Sequence, residues 1–204
     1  MDYLSTSDFI NYGIPATTPQ SLVSNASALL DAHCRRQTLA VAQYTERLEV
    51  GPSGRLRLTY LPVAAANGAA SAIVSARGRY TAADTGRAFL LGAEMAAFRL
   101  PGGWTNIDPG SFDLFPATGE ITLMPNPLAL PCDQLEITYT AGLDPVGEAV
   151  MQACAMVVRN ALATPSLHVK ASAVDRMHME YFSDSLLDAN VRQLLAPYVA
   201  QRVG

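Results

Sequence analysis

The segment Leu135-Glu136-Ile137-Thr138-Tyr139-Thr140-Ala141-Gly142-Leu143-Asp144-Pro145, continued by an apolar-striped stretch to Ala163, constrains this chain more than any other. Leu135, Ile137 and Tyr139 alternate with Glu136, Thr138 and Thr140, the period-2 pattern of a half-buried strand. Gly142 can take the positive φ that ends such a strand. Asp144 then offers a side-chain acceptor to the orphan N–H groups of a helix, and Pro145 suits a first helical position. Val146, Val150, Ala153, Cys154, Val157, Val158, Ala161 and Leu162 follow at spacings of three and four, so the helix has one wide apolar face. Thr164-Pro165 stops it.

Two further helices are expected near the chain ends. Thr18 as cap and Pro19 at the first position open one, with Leu22, Ala26, Leu29, Leu30 and His33 on its apolar face and Arg35 and Arg36 in its last turn. The other opens at Ser185, has Asp188 as an acidic partner in its first turn, and turns Leu186, Leu187, Val191, Leu194 and Leu195 inward before Pro197. Residues 1–17, with Gly13, Pro15 and several Ser and Thr, read as a poorly structured lead-in.

Between the first helix and the junction the period changes and turn residues multiply. Strands are expected at 39–50, 56–60, 72–80, 89–91, 97–100, 121–124 and 135–139. Gly51-Pro52-Ser53-Gly54 (read as a hairpin turn), Asn67-Gly68, Pro101-Gly102-Gly103, Asp108-Pro109-Gly110 and Met124-Pro125-Asn126-Pro127 punctuate them. The predicted fold class is α+β: a three-helix core from both chain ends around a large β-rich insertion. Its parts are residues 1–37 (lead-in and first helix), 38–140 (β-rich insertion) and 141–204 (C-terminal helices completing the core).

A length of 204 residues suits one sizeable domain, or one core with an inserted subdomain. Met1-Asp2-Tyr3-Leu4-Ser5 lacks the basic and apolar regions of a secretory signal, and the 146–163 stretch carries Glu148, Gln152, Arg159 and Asn160, so no membrane span is expected. A soluble protein made in the cytoplasm is the expectation. Cys34, Cys132 and Cys154 are too few and too dispersed for a disulfide framework or a zinc site, and read as buried free thiols.

The net charge of −4 argues against gripping nucleic acid by phosphate neutralisation. Its distribution is uneven. Between Arg99 and Arg159 there is no basic residue, whereas Asp108, Asp113, Glu120, Asp133, Glu136, Asp144 and Glu148 all fall there. From Arg47 to Arg99, Arg47, Arg55, Arg57, Arg77, Arg79, Arg87 and Arg99 outnumber Glu46, Glu49, Asp84 and Glu94. Two readings stay open: copies stacking head-to-tail through complementary faces, or charges that solvate opposite faces of the β region.

Nucleophile elbows, Ser-x-x-Lys, Walker loops and dinucleotide glycine fingerprints are all missing. His33 lies next to Cys34 and so points to another side of its helix, while His168 and His178 are too far apart for a local metal motif. No catalytic, cofactor-binding or metal-binding residue is assigned, and no cofactor is expected.

The strand Ile137-Thr138-Tyr139-Thr140-Ala141-Gly142, a proline shortly after it, and an Ala/Val-rich helix resemble the head-to-tail connector (adaptor) proteins of tailed double-stranded-DNA phages. The order of parts is similar too: helix at 18–37, β-rich insertion at 38–139, the junction, an extended segment at 170–183 and a short helix at 185–199. Leu61-Pro62-Val63 closing a strand also resembles longer members of that family. The resemblance implies a virion structural protein and no enzyme: a ring of about a dozen copies at the neck, between the portal protein and a stopper or tail-completion protein, with genomic DNA passing through its centre. It also implies that the extended segment serves ring assembly and the channel, with Lys170, Arg176, His178, Glu180 and Tyr181 as interface or channel residues.

By its residues alone that segment reads as a strand with few partners in its own chain, a connecting hairpin, or an irregular helix. Two other functions remain in view. One is a small enzyme or ligand-binding domain using the β insertion, with Trp104 and Asp108 in a loop. The other is a different neck or tail protein, a stopper or tail terminator.

Overall fold

In the computed structural model the structure describes residues 1–51, 53–65, 71–80, 104–124, 132–163, 171–174, 177–180 and 186–200. The chain divides into two units: Met1–Ala40 with Leu143–Ala200, and the intervening Val41–Gly142. The fold class is α+β, with helices in the first unit and antiparallel sheets in both.

Among the described residues three α-helices lie in the first unit: α1 (Gln20–His33), α2 (Glu148–Ala163) and α3 (Ala189–Leu195). Their apolar stripes share one core, in which Val23, Ala26 and Leu30 of α1 join Val150, Ala153, Cys154, Val157 and Val158 of α2 and Val191 and Leu195 of α3. The buried stripe of α1 is set slightly round from the expected one: Val23, Ser27 and Asp31 are buried, while Leu22, Leu29 and His33 are only partly so. On α2, Leu162 stays exposed.

Residues 1–17 are not a loose lead-in. Tyr3, Leu4, Phe9 and Ile14 are each at most 4% exposed and belong to the helical core. Polar composition hid them, because four buried anchors, with Tyr12 packed partly buried beside them, are spaced among residues that mostly stay outside. The Tyr3 N–H donates to Ser27 Oγ at 3.1 Å, and its phenol donates to the Asp31 carboxylate. The Leu39 N–H closes the network, donating to Tyr3 Oη at 2.7 Å and to Asp31 Oδ1 at 3.1 Å. Burial lifts the Asp31 carboxyl above its ordinary 3.8, against the lowering by these donors.

All three helix starts differ from expectation. Pro19 itself stands at the cap of α1, where no side chain caps, and the buried Thr18 hydroxyl has no hydrogen-bond partner. The Asp144–Pro145 bond is cis, and helical geometry begins only at Glu148, with the Gly147 carbonyl accepting from the N–H groups of Val150 and Met151. Gly147 brings no capping side chain in place of the expected Asp-Pro pair; Glu148 in the first turn suits the dipole, and its carboxylate accepts from the Tyr12 phenol at 2.8 Å. Asp188 is the cap of α3, accepting from the Val191 N–H at 2.7 Å, and Ser185 lies outside the described residues.

The end of α1 is also unusual. Arg35 lies beyond the last turn with φ +56°, while the N–H groups of Arg35 and Arg36 donate back to Ala32 and Asp31. This is the two-bond cap that glycine ordinarily makes, because a Cβ in the left-handed region meets its own backbone.

Among the described residues the second unit holds seven strands in two antiparallel sheets: β1 (Ala42–Glu49), β2 (Arg55–Arg57), β3 (Ile73–Tyr80), β4 (Trp104–Ile107), β5 (Phe112–Phe115), β6 (Glu120–Leu123) and β7 (Cys132–Ala141). One sheet runs β1-β7-β3-β4, the other β2-β6-β5. Inward residues of both, among them Tyr44, Ala76, Ile137, Tyr139, Leu56, Phe112 and Ile121, form one core. At Gly78 on β3, a Cβ would come within 2.6 Å of Ile107 Cδ1 and 2.9 Å of Cys132 Sγ, so a larger residue there would make these side chains shift. Gly142, at φ +138°, ends β7 and donates its N–H to the Pro62 carbonyl.

Strands β1, β3 and β6 overlap expected ones along most of their length, and β7 contains the strand expected at 135–139. Strand β2 shares only Leu56 and Arg57 with the strand expected at 56–60, and β4 and β5 went unanticipated. Each has four residues, and Phe115 breaks the alternation by standing 54% exposed. The expected strands at 89–91 and 97–100 lie outside the described residues. The 51–54 turn, with Gly54 N–H donating to Gly51 O at 3.0 Å, closes no hairpin: β1 pairs with β7, and β2 with β6.

Two substitutions test this account. Phe9→Ala is expected to lower unfolding free energy by about 3–5 kcal/mol in a denaturant titration, the cost of emptying a core site. A loss under about 1 kcal/mol would mean that residues 1–17 do not complete the core. Arg35→Gly is expected to raise it by about 1 kcal/mol, since it relieves a left-handed side chain.

Candidate functional site

The segment singled out by sequence is an antiparallel hairpin. Strand β8 (Ala171–Val174) pairs with β9 (Met177–Glu180) in the register Ala171 with Glu180, Ser172 with Met179, Ala173 with His178 and Val174 with Met177. Of the three forms its residues left open, the hairpin is the one adopted, and the two strands form a sheet of their own. The pairing leaves two residues between the strands, the shortest common hairpin connection. His178 and Glu180 sit on β9, opposite Ala173 and Ala171. Lys170, Arg176 and Tyr181 lie outside the described residues.

The other concentration of chemistry is the outer face of the four-stranded sheet. Along β7, Leu135, Ile137, Tyr139 and Ala141 turn into the core, which leaves Gln134, Glu136 and Thr138 outward. The register sets Arg47 of β1 and Arg77 of β3 on either side of Glu136, and Arg79 beside both Gln134 and Trp104. Arg47 Nε donates to Glu136 Oε2 at 2.7 Å, and Arg77 Nε to Oε1 at 2.7 Å. Both guanidiniums also lie over the Trp104 ring, at 5.5 and 5.3 Å from its centroid. Arg77 and then Arg47 hold the Glu136 carboxyl below its ordinary 4.5. A recess of about 240 Å³ opens beside this cluster, lined by Ser75, Ala76, Arg77, Asn106, Glu136 and Thr138.

Sequence reasoning recorded the ingredients as one basic and one acidic section. The structure brings Arg47, Arg77 and Glu136 onto one face of one sheet. Trp104 is in strand β4 and not in a loop, and Asp108 accepts from the Gly110 N–H at 3.0 Å to hold a turn. Of the two residues expected in a loop, only Asp108 lies in one.

On the inner face, the Tyr139 phenol donates to the Glu46 carboxylate and accepts the Tyr60 N–H at 3.1 Å. Burial and then Glu46 raise its pKa, and the Tyr44 and Tyr60 rings stack at 4.0 Å nearby. This is a satisfied polar group inside a core. The cysteines are free and buried, and burial pushes the thiols of Cys34 and Cys154 up to about 11. Thiols so far from ionisation are poor nucleophiles. Among the described residues no group of three His, Cys, Asp or Glu side chains is placed to hold a metal ion, and no helix is long and apolar enough to cross a membrane.

Comparison with protein-family models and with curated proteins gives no match.

The Glu136 cluster generates a pH prediction. Its carboxyl is more acidic folded than unfolded, so the native state binds fewer protons there. The ion pairs therefore stabilise above the ordinary glutamate range, and that contribution is lost as pH falls through 4.5 and below. Glu136→Gln is expected to flatten the acid limb of a stability–pH profile and to cost less than about 1 kcal/mol at neutral pH, as for exposed ion pairs. An unchanged acid limb would contradict the pairing.

Proposed function

We propose that this protein is a head-to-tail connector of a tailed double-stranded-DNA phage, a virion structural protein assembled as a ring between the portal and a stopper or tail-completion protein. The observation that carries the reading is the order of elements along the chain. An N-terminal helix precedes the β unit, strand β7 ends at Gly142, α2 follows, and the hairpin β8–β9 comes before the short α3. That order resembles the connector family part by part.

Physical chemistry adds two supports. A net charge of −4 suits a conduit past which phosphates must slide without being held. A two-stranded hairpin alone is marginally stable in water and gains from a docking partner, and β8–β9 joins no larger sheet among the described residues. In the proposed ring of about a dozen copies, that partner is the neighbouring subunit. His178 and Glu180 on β9, with Lys170, Arg176 and Tyr181 beside them in sequence, are then the interface or channel residues.

Electron microscopy of particles made when the gene carries an early stop codon tests the reading. Separate DNA-filled heads and complete free tails are expected. Normal tailed, infectious particles would sink it.

A further inference from the structure

The outer face of the four-stranded sheet carries a positioned cation cluster that the connector reading does not use. We propose that this face docks an acidic segment of a partner protein, whose carboxylates are taken by Arg47 and Arg77 beside Trp104.

Charge and donor inventory point this way. Two guanidiniums share the single carboxylate of Glu136, so the triad keeps one positive charge. Among the described residues the triad of Arg47, Arg77 and Glu136 is the centre of positive charge on this face. Each guanidinium has five N–H donors in a planar fork suited to carboxylate. Arg47 gives Glu136 its Nε, and Arg77 its Nε and Nη2, so the other Nη groups are left for a ligand. The side chains are 68% and 44% exposed, within reach of one.

The arrangement is also fixed in advance. Glu136 and the Trp104 ring hold both long side chains, which lowers the rotamer cost that an arginine ordinarily loses on binding. The adjoining recess of about 240 Å³, lined by Ser75, Asn106 and Thr138 beside the ion pair, is smaller than a typical cofactor pocket and suits single side chains. Arg47 and Trp104 come from β1 and β4, the two end strands of the sheet, so the cluster spans a width that an extended segment can cross. A nucleic acid fits less well. Its bases would stack on an aromatic face, and the indole is already occupied by two guanidiniums.

Trp104 is the only tryptophan, so the fluorescence of the full chain reports on the site directly. The chain is titrated with a short oligo-glutamate peptide, with inorganic phosphate and with single-stranded oligothymidylate. The expected result is a saturable response to the peptide, weakened by salt. In Arg47→Ala/Arg77→Ala the affinity should fall about tenfold or more, the worth of charged hydrogen bonds. Glu136→Gln removes the competing carboxylate while Trp104 still orders the arginines. The second positive charge so uncovered should outweigh the lost ordering and bind the peptide severalfold more tightly, whereas a cluster serving structure alone would show no such gain. The pair Arg55→Ala/Arg57→Ala, exposed on the other sheet, should leave affinity unchanged. Arg77→Lys keeps charge but loses the fork, and should weaken binding even if the double variant does not fold. No saturable response, equal weakening by the Arg55/Arg57 pair, or binding of oligothymidylate or phosphate as tight as the peptide would overturn the proposal.

Discussion

Strand β7 is hydrogen-bonded along both edges, to β1 on one side and β3 on the other, and the rest of the β unit is arranged by that fact. A strand so flanked has no free backbone groups to satisfy, and its pleat divides its side chains between two faces. Leu135, Ile137, Tyr139 and Ala141 are fully buried on one of them. Slipping the register by one residue would exchange these for Gln134, Glu136 and Thr138, so burial fixes the alignment of all three strands. The same alignment decides which charges meet outside.

On that outer face the opposed charge sections of the chain neutralise one another in part. Arg47 and Arg77 lie 89 and 59 positions from Glu136, yet the register sets both beside it. Complementary charge therefore first serves pairing within one chain, with a single positive excess at the triad. The face is organised without being closed, and it is distinct from the hairpin to which the connector reading assigns subunit contact.

Much of the architecture was legible where burial imposes a period. The alternation of β7 and the stripes on α2 and α3 are visible because one side of each element is apolar and the other is not. Strands β4 and β5 were lost because their residues break the period: Trp104 and Ile107 are three apart, and in β5 Phe115 puts an apolar side chain on the outward face. Helix starts were displaced because the cap grammar is degenerate: Asp144 with Pro145 reads as a start, yet helical geometry begins only at Glu148, and tertiary context makes the selection. The core role of Tyr3 and Phe9 was hidden among Ser, Thr and Gly, since isolated anchors have no period. The Arg–Glu–Arg cluster was legible only as two blocks of sign, because its members meet through strand register. For the 168–182 segment, residues alone could not choose among strand, hairpin and helix.

The organising role of β7 is tested most directly by native-state hydrogen exchange resolved to single amides. Amides of Ile137 and Tyr139 are predicted to exchange only through unfolding of the whole β unit, and more slowly than those of β2 and β5 at the ends of the second sheet. Exchange in β7 as fast as in those strands would contradict the claim that it holds the unit together.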